Sequence, residues 1–275
     1  MSVQMMPERR GYLREEELVA RLMETIPARW PHVGPARSAV LMREVDCYRG
    51  RADVVRAAFS VSRCPANADK VAELLVQPSA ARILARLHRR APRSETFLEE
   101  ATGLSRPVLR QRIRQLVESG LVRTTSRGSL LRRARGTMPE PEIWSFEAKL
   151  SKWRRALYQA MQYRGFSHRS IVVMPPSGAS AALANVERFR RLGVGLVVLD
   201  EAGCRVVHWP PKTPPFSRAL FQIAIGRALG ALCSAGARTH TPAATRNSLT
   251  ASSHCSRWPA SHPVSKVAPA FSSRA

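Results

Sequence analysis

The sequence predicts an α/β fold with a mixed sheet flanked by helices. Strand and helix patterns alternate near both ends of the first 232 residues, and a compact arginine-rich segment of different texture separates them. Helical spacing of Leu18, Val19, Leu22, Met23 and Ile26 predicts a first helix over 14–26, ended by Pro27. Residues 39–47 and 52–61 read as strands, and Gly50 suits the turn between them. After a loop over 62–69 the pattern changes to helix, helix, turn, helix, hairpin. Strand character returns at 142–150, followed by a helix to about residue 164 with Ser151 as its expected cap. Then come a strand at 170–174, a loop at 175–179, a helix at 181–192, strands at 194–199 and 205–209, and a last amphipathic helix over 216–232. Residues 233–275 contain no Asp or Glu, are rich in Ser, Ala, Thr and Pro, show no sustained period, and read as a disordered tail.

Charge points to the partner. Lys and Arg number 44 against 20 Asp and Glu, a formal balance of +24, which favours nucleic acid first and an anionic membrane surface second. The excess is clustered: residues 82–135 hold fourteen Arg, no Lys and four Glu, a local balance of 14 − 4 = +10. Five dispersed cysteines with no CxxC pair argue against a disulfide framework or a structural zinc site and fit a reducing cytoplasm. No signal-type apolar core opens the chain. No uncharged run is long enough to span a bilayer, so no membrane partner is expected.

In the arginine-rich segment, Ile83, Leu84 and Leu87 share one helix face. Ser94 is placed to cap a short helix with Phe97 and Leu98 inward, and residues 102–105 form a turn. Ser105 and Pro107 suit the start of a third helix, whose expected buried stripe is Val108, Leu109, Ile113, Leu116 and Val117. Its other face carries Arg106, Arg110, Gln111, Arg112, Arg114 and Gln115. Guanidinium groups grip phosphate or guanine edges, and Gln pairs with adenine. A hairpin around Arg127 and Gly128 follows, with Arg123, Arg127, Arg132 and Arg133 expected near phosphates. The segment resembles the winged helix-turn-helix domains of bacterial and archaeal regulators, a resemblance that implies DNA as partner and the third helix in the major groove.

A second constellation lies outside it. In the strand from Ile143 to Leu150, Trp144, Phe146, Ala148 and Leu150 form one face and Ser145, Glu147 and Lys149 the other. Charges on a strand otherwise built for a core are costly unless paired. An earlier strand offers Asp53, and the first helix offers Glu15, placed before Leu18 and Val19 on the core-facing side. The following helix carries Gln159 and Tyr163, four apart on one face. In this order the residues resemble the PD-(D/E)xK nuclease superfamily, with Glu147 and Lys149 as the ExK pair and Gln159 and Tyr163 as the QxxxY element of its exonuclease-type branch. Ala52 stands where the family has Pro. The interval from Asp53 to Glu147 is 147 − 53 = 94 residues, accounted for by the inserted segment. The resemblance covers residues 8–60 and 140–232. It implies a restriction-endonuclease-like sheet and Mg²⁺ (or Mn²⁺) held by Asp53 and Glu147. It further implies catalytic roles for Lys149, Glu147, Asp53 and Glu15, with Gln159 and Tyr163 touching the DNA backbone or bracing the site.

The expected organisation is a nuclease-like part over 8–69, a winged helix-turn-helix over 70–137, a second nuclease-like part over 138–232 and a tail over 233–275. No GxGxxG, GxxxxGK[ST], GxSxG or HExxH pattern is present. Two function classes remain: a metal-dependent DNA nuclease with an embedded DNA-binding module, and a non-enzymatic DNA-binding regulator on the same scaffold. Homodimers are common in both.

Overall fold

Strands β1 (Ser38–Asp46), β2 (Arg51–Phe59), β5 (Glu142–Ala148), β6 (Arg169–Met174), β7 (Gly195–Asp200) and β8 (Gly203–His208) lie side by side in that order in one sheet. The computed structural model describes residues 14–29, 38–48, 50–60, 67–133 and 140–238. β5, β6 and β7 run parallel, and β1, β2 and β8 join antiparallel at the two sides. The parallel strands are rich in Val, Ile and Leu and buried on both faces, as crossover connections require. Helix α1 (Glu15–Arg29) covers one face: Leu18, Val19, Leu22 and Ile26 pack with Val54, Trp144, Phe146 and Ala148. On the other face, α6 (Trp153–Tyr163), α7 (Pro176–Leu183) and α8 (Val186–Leu192) lie over β6 and β7, while the long α9 (Arg218–Arg238) contributes to the core beside Val55, Ala57 and Ile143.

Between β2 and β5 run α2 (Ala68–Leu75), α3 (Pro78–Arg86), α4 (Glu95–Thr102), α5 (Arg106–Glu118) and the two-stranded sheet β3 (Val122–Thr124)–β4 (Leu130–Arg132). Ser94 caps α4 as expected, its hydroxyl accepting from Phe97 N–H at 3.1 Å. Gly103, at φ 65°, supplies the left-handed residue that turns the chain towards α5. One hydrophobic cluster runs through this segment and the sheet: Leu75, Ile83, Leu84, Leu109 and Leu116 share it with Val55, Ala57, Ile143, Phe166, Ile225 and Leu229.

Several expectations are corrected. α1 continues to Arg29, past the Pro27 expected to end it. α2 was not anticipated. Its eight residues bury Ala68, Val71, Ala72, Leu74 and Leu75, and it packs on α9. Residues 176–179, expected in a loop, begin α7 with Pro176 at its first position, and the single helix expected over 181–192 is two, α7 and α8. Val108 and Val117 of α5 are exposed, because the buried stripe is the narrower set Leu109, Ile113 and Leu116. Neither Ser105 nor Ser151 caps a helix through its side chain, and α6 starts at Trp153 after Lys152. The tail expected from 233 begins as helix: α9 reaches Arg238, since its Ala-rich end is a good helix former. The rest of the tail, the start of the chain and the loop at 61–66 lie outside the described residues. Cys47 and Cys204 are free thiols. No helix among the described residues is long and apolar enough to cross a membrane.

Candidate functional site

Packing of α1 against the Trp144–Phe146–Ala148 face of β5 carries the helix N-terminus to the end of that strand. There the four residues expected from the sequence meet. Lys149 Nζ lies 2.9 Å from Glu147 Oε1, 3.0 Å from Glu15 Oε2 and 3.8 Å from Asp53 Oδ2, and it donates to the Ala148 carbonyl at 3.1 Å. Asp53 is fixed from behind, its Oδ2 accepting from Ala148 N–H at 2.8 Å. Period-two alternation puts Glu147 on the face away from α1, while Ala148 packs beneath the helix and Lys149, just past the end of β5, reaches Glu15 of α1.

Glu147 is fully buried. Its Oε2 accepts a 2.6 Å hydrogen bond from the Tyr163 hydroxyl, which also lies 2.9 Å from the Arg51 carbonyl. Its Oε1 has no hydrogen bond of good angle and faces the Lys149 ammonium. Burial pushes the Glu147 carboxyl above its ordinary value and the Asp53 charge adds to this, against the pull of Tyr163 and Lys149. Asp53 is raised too, first by burial, while the Ala148 amide and Lys149 oppose the shift. Burial lowers the Lys149 amine, but the Glu147, Asp53 and Glu15 contacts outweigh it and the net shift is upward, so Lys149 is an ammonium at neutral pH. Tyr163 is wholly buried and its pKa is driven up by burial and by Glu147. The Gln159 amide lies against the phenol, with its own Oε1 buried and unpartnered. Tyr163 is thus held in the interior against Glu147.

Two neighbours escaped the sequence reading. Glu44 of β1 sits close enough to raise Asp53 and pairs with Arg51 at 2.6 Å. Its φ of 53° within a strand is strained for a side-chain-bearing residue, and such strain gathers at functional sites. Lys152, Arg154 and Arg155, just beyond Lys149, are all exposed. A strand-period search has no signal for either.

On α5, Arg106, Arg110, Gln111 and Arg114 are exposed. Arg106 pairs with Glu99 at 3.1 Å and Arg110 with Glu95 at 3.2 Å, both at the surface, where such pairs are weak and yield readily to a phosphate. Gln115 instead accepts from Arg112 at 2.6 Å, and Arg112 also bonds Ser79 of α3. Arg127, in the β3–β4 turn, is exposed. Arg132 turns inward, to Glu140 at 3.0 Å and Gln222 at 3.3 Å.

Residues 75–125 match the family model described as "Helix-turn-helix domain". A search of curated proteins returns no match. The solved structure "SPO1766 protein of unknown function from Silicibacter pomeroyi" aligns over 82% of this chain and 88% of its own, at 14% identity and a TM-score of 0.36, a likeness too low to argue from. The matched segment contains α3, α4 and α5 with the exposed arginine face, and the chain therefore carries a helix-turn-helix domain of a DNA-binding protein.

Proposed function

We propose that the protein is a metal-dependent DNA nuclease of the PD-(D/E)xK type, whose helix-turn-helix domain holds the DNA. The observation that carries the reading is the convergence of Glu15, Asp53, Glu147 and Lys149 at the end of β5. The mixed sheet with helices on both faces agrees with the restriction-endonuclease-like fold that this type implies.

The residues fit a hard divalent cation. Among the described residues no three His, Cys, Asp or Glu form a ready cluster. Mg²⁺, however, takes one or two carboxylates and keeps its waters. Asp53 and Glu147 are that donor set, the Ala148 carbonyl faces the same space, and Glu147 Oε1 is a buried oxygen faced by the Lys149 ammonium at 2.9 Å. The Lys149 ammonium among three carboxylates marks where positive charge is favoured. When bound, the metal would make water a nucleophile and steady the phosphate oxygens. Lys149, protonated, offsets negative charge developing on the phosphate. Tyr163 and the Ala148 amide hold Glu147 and Asp53 in place, and Lys152, Arg154 and Arg155 offer contacts to the backbone.

The test is cleavage of supercoiled plasmid in Mg²⁺, with DNA binding measured on the same samples. Wild type nicks the plasmid. Lys149→Ala and Asp53→Asn lose at least about 10²-fold in rate, the size typical of a lost charge-stabilising group, while still binding DNA. Equal cleavage by all three would place the chemistry elsewhere. No cleavage by any, with binding intact, would leave a DNA-binding regulator on this scaffold.

A further inference from the structure

Towards the opposite end of β5 from Lys149, seven residues and about 20 Å along the strand, a cleft of about 980 Å³ opens between the α3–α4 connection, Glu140 ahead of β5, the segment 212–215 and the first turn of α9. That volume suits a small organic ligand. The walls differ in chemistry. Arg89, Arg90, Arg132, Lys212 and Arg218 bring five positive charges, against the single lining carboxylate of Glu140. Glu140 is already shared between Arg132 at 3.0 Å and Arg89 at 3.7 Å, and Lys212 leans on Glu142 at 2.6 Å. Burial lowers the Arg132 guanidinium and Glu140 opposes this, while Arg89 and Arg218 lower it further by like-charge repulsion. The three guanidinium groups are therefore close together and under-neutralised. A protein that crowds cations in this way without acids to match gains when an anion enters. The first turn of α9 adds the positive end of its dipole.

The remaining wall is apolar. Phe221 lies there with its ring edge-on to His168, centroids 5.2 Å apart, beside Leu87 and Pro214. His168 accepts from the Ile143 amide through Nδ1 and burial lowers its pKa, so it is a neutral ring in this wall. We propose that the cleft binds a small organic phosphate of nucleotide size, with its phosphate oxygens on Arg89, Arg90, Lys212 and Arg218 and its ring against Phe221 and Pro214. Arg89 and Arg90 follow α3 of the helix-turn-helix domain, whereas Arg218 opens α9, so the ligand bridges the DNA-binding segment and the helix packed against it. A charge-assisted, bidentate grip is what arginine forks supply to phosphate.

Calorimetric titration of the full chain in EDTA at physiological ionic strength tests this, with ATP, pyrophosphate and adenosine as probes. ATP is expected to bind, pyrophosphate to bind more weakly, and adenosine not to register. Arg89→Ala and Arg218→Ala should each weaken ATP at least tenfold with unliganded melting temperatures unchanged, and Arg218→Lys should recover part of the loss. Lys149→Ala, at the acidic cluster, and the pair Arg110→Ala with Arg114→Ala, on α5, should bind ATP as wild type does. Failure of both phosphates to bind tighter than about 1 mM would overturn the proposal. So would a loss that follows Arg110 and Arg114 rather than Arg89 and Arg218, since the binding would then be diffuse attraction to a basic chain.

Discussion

Glu147 has a hydrogen-bonding problem that explains its chemistry. Tyr163 has one hydroxyl proton and two acceptors, the Glu147 carboxylate at 2.6 Å and the Arg51 carbonyl at 2.9 Å. A protonated Glu147 resolves this by donating to the phenol, which then donates to Arg51. Both Glu147 and Asp53 are raised, each by burial first, against the pull of the Tyr163 hydroxyl on Glu147 and of the Ala148 amide on Asp53. Carboxyls of that kind contribute stability that is fully present below their ordinary values, 4.5 and 3.8, and is lost as pH rises through the raised folded values. Lys149, raised on balance, contributes below its ordinary 10.5 and loses this only in the alkaline range. Glu147→Gln mimics the protonated acid: its amide donates to Tyr163 and its oxygen faces Lys149. We expect this variant to be at least as stable as wild type at about pH 8, by denaturant titration, with the advantage shrinking towards about pH 5, and plasmid cleavage lost. A loss of about 3 kcal/mol or more at pH 8 would instead mark a structural ion pair whose breakage leaves a buried charge.

At the scale of elements, α5 carries the DNA-binding expectation. Arg110 and Arg114 lie four apart on its exposed face, and the ion pair holding Arg110 is a surface one. Replacing both with Ala should weaken duplex binding and flatten the salt dependence, by about 0.9 in log–log slope for each phosphate that is no longer neutralised. Gln115→Ala should change affinity little, because its side chain is engaged by Arg112; a large drop there would mean that α5 rotates on binding. This helix was legible because three large apolar residues, Leu109, Ile113 and Leu116, repeat at helical spacing between a turn and Gly120. Strand alternation and helix phase fix which way Glu147, Lys149 and Glu15 point, but that they meet Asp53 was an expectation carried by the family resemblance alone. What stayed hidden depends on neighbours distant in sequence. α2 is only eight residues long, too short for its apolar positions Val71, Leu74 and Leu75 to stand out as a period before α9 lies against them. Glu44 joins the acids only through β1–β2 pairing and a strained backbone. The basic cleft draws on the α3–α4 connection, β4, the segment 212–215 and α9, a set no local pattern joins.

For the whole molecule, the question is whether the helix-turn-helix segment unfolds alone or with the sheet. Its hydrophobic residues belong to the same cluster as β2, β5 and α9, and α9 packs on both α2 and α3. The closest approach is at Gly226, where an added Cβ would lie 2.8 Å from the Leu75 Cβ and 2.9 Å from the Ala72 carbonyl oxygen. Backbone atoms of α2 cannot yield cheaply, so Gly226→Ala should overpack this contact by about 1–3 kcal/mol, offset by about 1 kcal/mol of helix propensity. The described tryptophans, Trp144, Trp153 and Trp209, all lie outside residues 67–133. Trp30 and Trp258 lie outside the described residues; with both replaced by Phe in every sample, tryptophan fluorescence reports Trp144, Trp153 and Trp209 around the sheet, whereas far-ultraviolet circular dichroism also reports α2 to α5. If the shared core makes one cooperative unit, both probes give a single coincident melt with Gly226 in place, and Gly226→Ala lowers both together by about 2–6 °C. A circular dichroism transition that moves while fluorescence stays put would show instead that the DNA-binding segment unfolds by itself, and that the continuous core does not couple it to the acidic site.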